Sequence, residues 1–165
     1  MSNRGFTLVE LFVVIAIIMG LVVIGMFNFG AWQRKARVER FTKEFYSDLQ
    51  GARMRAAFTK KPQTIELQTV AGKTRAVFRT YSSAGNTPEK IESKDFPFVF
   101  TANSSVTNIE FNTRGLMTGT TARVICAQPN VGAAYDALIV EQTLTNLGKW
   151  TNRGAGCASE NVNKK

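Results

Sequence analysis

Glu10 is the only charged residue in an apolar run from Phe6 to Phe29. An ionised side chain at the centre of a membrane-crossing helix costs about 2.5–3.5 kcal/mol on insertion scales. An acid kept where a leucine would carry no such cost calls for a partner. A second group with chemical reach lies at the other end, where Lys149, Arg153, Lys164 and Lys165 surround Trp150. Cations suit a phosphate backbone and an aromatic ring can stack a base. Gly154, Ala155, Gly156 and Ala158 dilute that cluster, Glu160 subtracts from it, and Trp150 in a terminal strand also has a simpler use as core. Cys126 and Cys157 are the only cysteines, and with no histidine in the chain they cannot complete a tetrahedral zinc site.

Catalysis finds few candidates. The missing histidine removes the commonest general base and the commonest metal ligand. Gly115-Leu116-Met117-Thr118-Gly119 lacks the lysine of a phosphate-binding loop, and no serine sits in a nucleophile elbow. Glu89, Glu92 and Asp95 share a segment with Lys90 and Lys94, which reads as solvated charge, and the oxygen spacing of a calcium loop is absent. The expectation is a protein without enzymatic activity, metal or cofactor.

The elements that must position these residues are legible from hydrophobic period. Phe6 to Phe29 is 24 residues, about 36 Å as helix against a hydrocarbon core of roughly 30 Å. That is long enough to span with some tilt; the alternative is a buried helix of a soluble protein. A secretory signal fits poorly, since the run is long and no small-x-small cleavage site follows. Val38, Phe41, Phe45, Leu49, Ala52 and Ala56 then form an amphipathic stripe that predicts the same helix continuing until Lys60-Lys61-Pro62.

Beyond Pro62 the period becomes two. Strands are predicted at Thr64–Val70 and Thr74–Tyr81 around an Ala71-Gly72-Lys73 hairpin, then at Phe96–Phe100, Val106–Phe111, Thr121–Cys126, Ala137–Glu141 and Gly148–Thr151. Ser82–Asp95 reads as an exposed loop and the tail from Asn152 as irregular. The fold class is α+β: a long N-terminal helix, transmembrane in its first half and amphipathic in its second, packed on a mostly antiparallel β-sheet head. The divisions are residues 1–5, 6–29, 30–61 and 62–165.

Gly5-Phe6-Thr7-Leu8-Val9-Glu10 after a short polar leader resembles the type IV prepilin signal of major pilins, minor pilins and type II secretion pseudopilins. The resemblance implies a leader of residues 1–5, cut between Gly5 and Phe6 by prepilin peptidase, and N-methylation of Phe6. It implies that Glu10 pairs with a terminal amine in a filament core and sets register there. It also implies an inner-membrane protein with its N-terminus cytoplasmic and its head periplasmic, later built into an extracellular pilus or a periplasmic pseudopilus beside other pilin subunits. In the head, Ile109-Glu110-Phe111-Asn112 with Gly115, Val124-Ile125-Cys126, Ala137-Leu138-Ile139-Val140 and Gly148-Lys149 resemble the FimU and FimT minor pilins and the type II secretion pseudopilin GspH. A structural role in initiating assembly is therefore expected, with a secretion pseudopilin or a DNA-binding competence pilin, contacting DNA through Lys149, Arg153, Lys164 and Lys165, as alternatives.

Charge and cysteines fit these expectations unevenly. The chain carries 21 basic and 12 acidic side chains, net +9. The excess suits a phosphate-bearing or acidic partner, yet it is spread along the chain as a solubilising surface would be. Arg4 precedes the span while Arg34, Lys35, Arg37 and Arg40 follow it. A positive-inside count would put the head in the cytoplasm, but long domains translocate with little regard to charge. Export favours a Cys126–Cys157 disulfide over two buried thiols. Closing that loop would stabilise the head by roughly 3–4 kcal/mol.

Overall fold

The computed structural model describes residues 7–82, 87–103 and 108–165, with the side chains of 23–28 outside that description. One helix, α1 (Leu8–Thr59), runs for 52 residues with no proline to break it. It stops where Lys60 turns into the left-handed region at φ 56° and Pro62 follows, a residue that biases its predecessor away from helical angles. The predicted stripe is the buried one: Val38, Phe45, Leu49, Ala52 and Ala56 are at most 3% exposed, and half-buried Phe41 packs against the same cluster. Towards the N-terminus the large apolar side chains between Leu8 and Val22 are all 39% exposed or more. Among the described residues no helical stretch is both long and apolar enough to cross a membrane. Within α1 the stretch of the apolar run with described side chains, 8–22, is 15 residues, and 23–28 separate it from Phe29.

Two antiparallel sheets receive the amphipathic half, where the sequence pattern indicated one sheet without resolving its layers. The first contains β1 (Gln63–Val70), β2 (Lys73–Tyr81), β3 (Pro88–Phe96) and β5 (Asn108–Phe111), in the order β3-β2-β1-β5. The second contains β4 (Phe100–Ala102), β6 (Arg123–Ala127), β7 (Ala137–Val140), β8 (Thr145–Trp150) and β9 (Val162–Lys164), in that order. Burial alternates along β1, so the first sheet packs one face on α1 and wets the other. All four residues of β7 are buried, which matches its unbroken Ala-Leu-Ile-Val run. Leu138 and Val140 face the helix-side core, while Ala137 and Ile139 join Val124, Cys126, Trp150, Cys157 and Val162 in a second cluster on the opposite face. The C-terminal tail is the lid of that second cluster.

Three expectations change. Pro88–Phe96, which takes in residues 88–95 of the segment read as a loop, is the edge strand β3. Edge strands carry charge and need no alternation. Its charges are paired, Glu89 with Lys61, Asp95 with Arg75, and Lys94 with Glu44 and Asp48. The strand predicted at Phe96–Phe100 is instead the end of β3, a bend, and the start of β4. Phe96, Phe98 and Phe100 converge there on Phe41 and Phe45, with ring centroids 5.0–6.3 Å apart. The tail from Asn152 is ordered rather than irregular, with two short 3-10 turns, Arg153–Ala155 and Ser159–Asn161, leading into β9. The Gly85-Asn86 part of the predicted loop and the start of the strand predicted at Val106 lie outside the described residues.

Arg53 fixes α1 to the second sheet. Its Nη2 donates to the carbonyls of Glu141 (2.9 Å) and Leu144 (3.2 Å) and to the Thr145 hydroxyl (3.2 Å). Burial lowers its pKa from the usual guanidinium value. Beside it Gly115 sits at φ +75°, where a Cβ would lie 2.8 Å from the Arg53 carbonyl oxygen. Only glycine meets both the left-handed turn and the close helix approach.

Candidate functional site

Glu10 lies in the first turn of α1, and its local partner is Thr7. Thr7 is the N-cap, in extended geometry, and its hydroxyl accepts from the Glu10 backbone N–H at 3.3 Å. The Glu10 carboxylate accepts from the Thr7 N–H at 3.4 Å. Both bonds are long, yet together they form a capping box, which satisfies two of the four free N–H groups at a helix start. The signature Thr7-x-x-Glu10 is present in the sequence. It gives the acid a local role that leaves its carboxylate exposed to a stronger partner. Gly5 and Phe6, the expected cleavage and methylation positions, lie outside the described residues.

The two cysteines form a disulfide, Cys126 to Cys157, closing a separation of 31 residues. It ties β6 to the tail that lids the second cluster. Around it the tail is held by polar contacts that replace an absent regular ladder. Trp150 Nε1 donates to the Gly156 carbonyl at 3.1 Å, and Asn161 Nδ2 donates to Gly156 at 3.0 Å and Ala155 at 3.3 Å. Gly148 lets β9 approach β8, since a Cβ there would meet Val162 Cγ1 at 2.5 Å.

The four cations proposed for DNA do not share one surface. Arg153 is internal: its Nη2 donates to Asp136 at 2.6 Å and to the Pro129 carbonyl, and its Nη1 to the carbonyls of Ala127 and Gln128. The guanidinium also stacks 4.5 Å from the Trp150 ring centroid. Asp136 is 3% exposed and takes the Trp150 backbone N–H at 2.6 Å as well. Trp150, 7% exposed, is core. Register separates two of the lysines. Lys164 is opposite Gly148 and Lys149 opposite Asn163, so the period of two places Lys149 and Lys164 on opposite faces of the sheet. Lys164 is paired with Glu141. Lys165 lies 5.9 Å from the Tyr135 ring, which also receives Lys43 of α1 at 4.8 Å. Among the described residues no three of Cys, Asp and Glu gather where a metal ion could be held.

A different group of cations was visible in the sequence only as an orientation problem. Arg34, Lys35, Arg37, Arg40 and Lys43 follow the apolar run on α1. No ion pair within 4.0 Å joins any of them to a carboxylate among the described residues.

No protein-family model matches the chain, and no curated protein matches it. Among solved structures the type IV minor pilin FimU of Pseudomonas aeruginosa is similar in fold, with a TM-score of 0.53 and 14% identity over 78% of this chain and 97% of that one. At that identity the likeness speaks to architecture: the chain has the pilin α+β fold, a long N-terminal helix packed on antiparallel sheets.

Proposed function

We propose that this chain is a minor pilin, a structural subunit that helps initiate type IV pilus assembly within a complex of minor subunits. One observation carries the reading. From Leu8 to Val22 the large apolar side chains of α1 are exposed with one carboxylate among them, while the core of the head closes without them. Exposed apolar surface on this scale marks a membrane or subunit contact. A single helix can serve both in turn, crossing the inner membrane before assembly and bundling with neighbouring helices afterwards. The fold likeness to a minor pilin supports the same assignment.

In this reading prepilin peptidase removes residues 1–5 and the new terminal Phe6 is methylated. Glu10 then exchanges the weak Thr7 N–H for the terminal amine of a neighbouring subunit, a charged partner about twice as strong. The role is structural rather than catalytic. A type II secretion pseudopilin would share this physical design, and the subunits that co-purify distinguish the two machines.

The test is a Glu10→Ala variant in the native host. The variant should insert in the membrane and keep its oxidised head while losing its incorporation into sheared filaments. An N-terminal mass lacking residues 1–5 and carrying one added methyl group should be found in both forms. Filaments containing the variant at the parental level would refute the register role.

A further inference from the structure

We propose that the basic collar at the exit of the apolar run, centred on Arg34, Arg37 and Arg40, is a binding site for the phosphate headgroups of anionic phospholipids. The inference rests on the membrane-inserted state proposed above. Arg34, Arg37 and Arg40 recur every three residues and are all exposed. Between Trp32 and Lys43 there are five cations and one acid, 5 − 1 = +4. That acid, Glu39, is occupied as acceptor for the Ala134 N–H at 2.7 Å. Among the described residues no carboxylate lies within 4.0 Å of a collar cation, although lysines and arginines elsewhere in the head, such as Lys61, Arg75, Lys94 and Arg153, have found one. A surface of cations left unpaired by its own fold is complementary to an anion supplied from outside.

Depth selects the anion. At about 1.5 Å per residue, Arg34 lies roughly 7 Å and Arg37 roughly 12 Å beyond Phe29 along the helix. Helical side chains lean towards the N-terminus, so these guanidinium groups reach back towards the bilayer. Phe29 and Trp32, 56% and 63% exposed, stack with centroids 6.1 Å apart at the same level. Exposed aromatics at the end of an apolar span are the membrane-interface pattern. The head contributes the other wall. Arg34 and Arg37 face Pro97, Phe98 and Val131 across a cleft of about 190 Å³. Arg37 and Arg40 also line a second concavity of about 400 Å³ with Trp32 and Phe41. Each recess combines guanidinium groups with apolar walls, which fits a charged headgroup above the start of its acyl chains. Guanidinium takes phosphate oxygens bidentately.

The test reconstitutes the full chain in nanodiscs of zwitterionic lipid. Brominated phosphatidylglycerol or brominated phosphatidylcholine is added as a minor component, and quenching of Trp32 fluorescence is read. Trp150 is 7% exposed in the head and gives a constant background. Selective quenching by the anionic lipid is expected. An Arg34→Gln, Arg37→Gln, Arg40→Gln variant should lose that preference by roughly 100-fold in apparent affinity, given three membrane-proximal charges, with an unchanged melting curve. Equal quenching by both lipids would leave the span intact and overturn the headgroup site. Quenching by neither would show that the chain does not insert, and would overturn both readings. Duplex DNA binding by the parent chain that is lost in the same triple variant, with equal quenching by both lipids, would reassign the collar to nucleic acid and overturn the proposal.

Discussion

Arg153 shows how a residue of the right type acquires a different use from its surroundings. Its guanidinium closes the charge of Asp136, whose side chain is 4% exposed, and caps three carbonyls at the β6 end. Removing one member of such a pair leaves a desolvated charge, which costs about 3–5 kcal/mol when fully buried. Arg153 retains 20% side-chain exposure, so Arg153→Ala should cost about 2–4 kcal/mol, read as a lower urea midpoint of the oxidised protein. Lys149→Gln should stay within about 0.5 kcal/mol. Equal midpoints for the two variants would contradict the structural role. Loss of DNA binding on Arg153→Ala would accordingly report unfolding unless Lys149→Gln reproduced it. The sequence displayed the cation and its tryptophan neighbour. It did not display Asp136, 17 residues away and brought in by strand pairing. The Thr7–Glu10 box is the reverse case: its four-residue signal is contiguous in the sequence, where the acid also stands out as the one charge of an apolar run.

At the scale of elements, the first sheet is held at its edge by charge and the second by burial and a disulfide. Glu66 is pulled below the usual carboxylate value by its hydrogen bond from Arg79 and then by Gln68. Glu89, Glu92 and Asp95 are lowered in the same way by hydrogen bonds from Lys61, Lys90 and Arg75. A folded pKa below the unfolded one gives stability that is present above the unfolded value and lost as pH falls through the folded one. The ordinary glutamate value is 4.5, so the melting temperature should be flat from neutrality to about pH 5 and decline below that. Rate-corrected amide exchange should show β2 and β3 opening first while β7 and β8 stay protected. These pairs are solvent-exposed, so the decline is modest and added salt should blunt it. Earlier opening of β8 would contradict this division. It also explains which elements were legible. α1 and β7 announce themselves through helical period and an unbroken apolar run. β3 is a charged edge, and β9 is three residues whose only signal is the space left by Gly148.

For the whole molecule, the structure separates a head with a buried core from a helical segment whose described apolar side chains lie exposed. Buried core begins at Val38, and the described apolar side chains before Phe29 contribute nothing to either cluster. A chain of residues 30–165 should therefore be soluble and monomeric, and unfold cooperatively within about 1 kcal/mol of the full chain held in detergent. Reducing Cys126–Cys157 in that truncated head should remove about 3–4 kcal/mol by the loop-closure estimate. The loss should begin in the tail, because Trp150 and Val162 lid the second cluster that the disulfide fastens. Thermal melts of oxidised and reduced forms, followed by near-ultraviolet circular dichroism of Trp150, measure both effects. Aggregation of the truncated head, or a melting point far below that of the full chain, would mean that the first half of α1 supports the head. A melting point preserved without that half would show that the apolar segment makes no contribution to folding. Its exposed apolar side chains would then be free for contacts outside the head, the division of labour that the proposed subunit role requires.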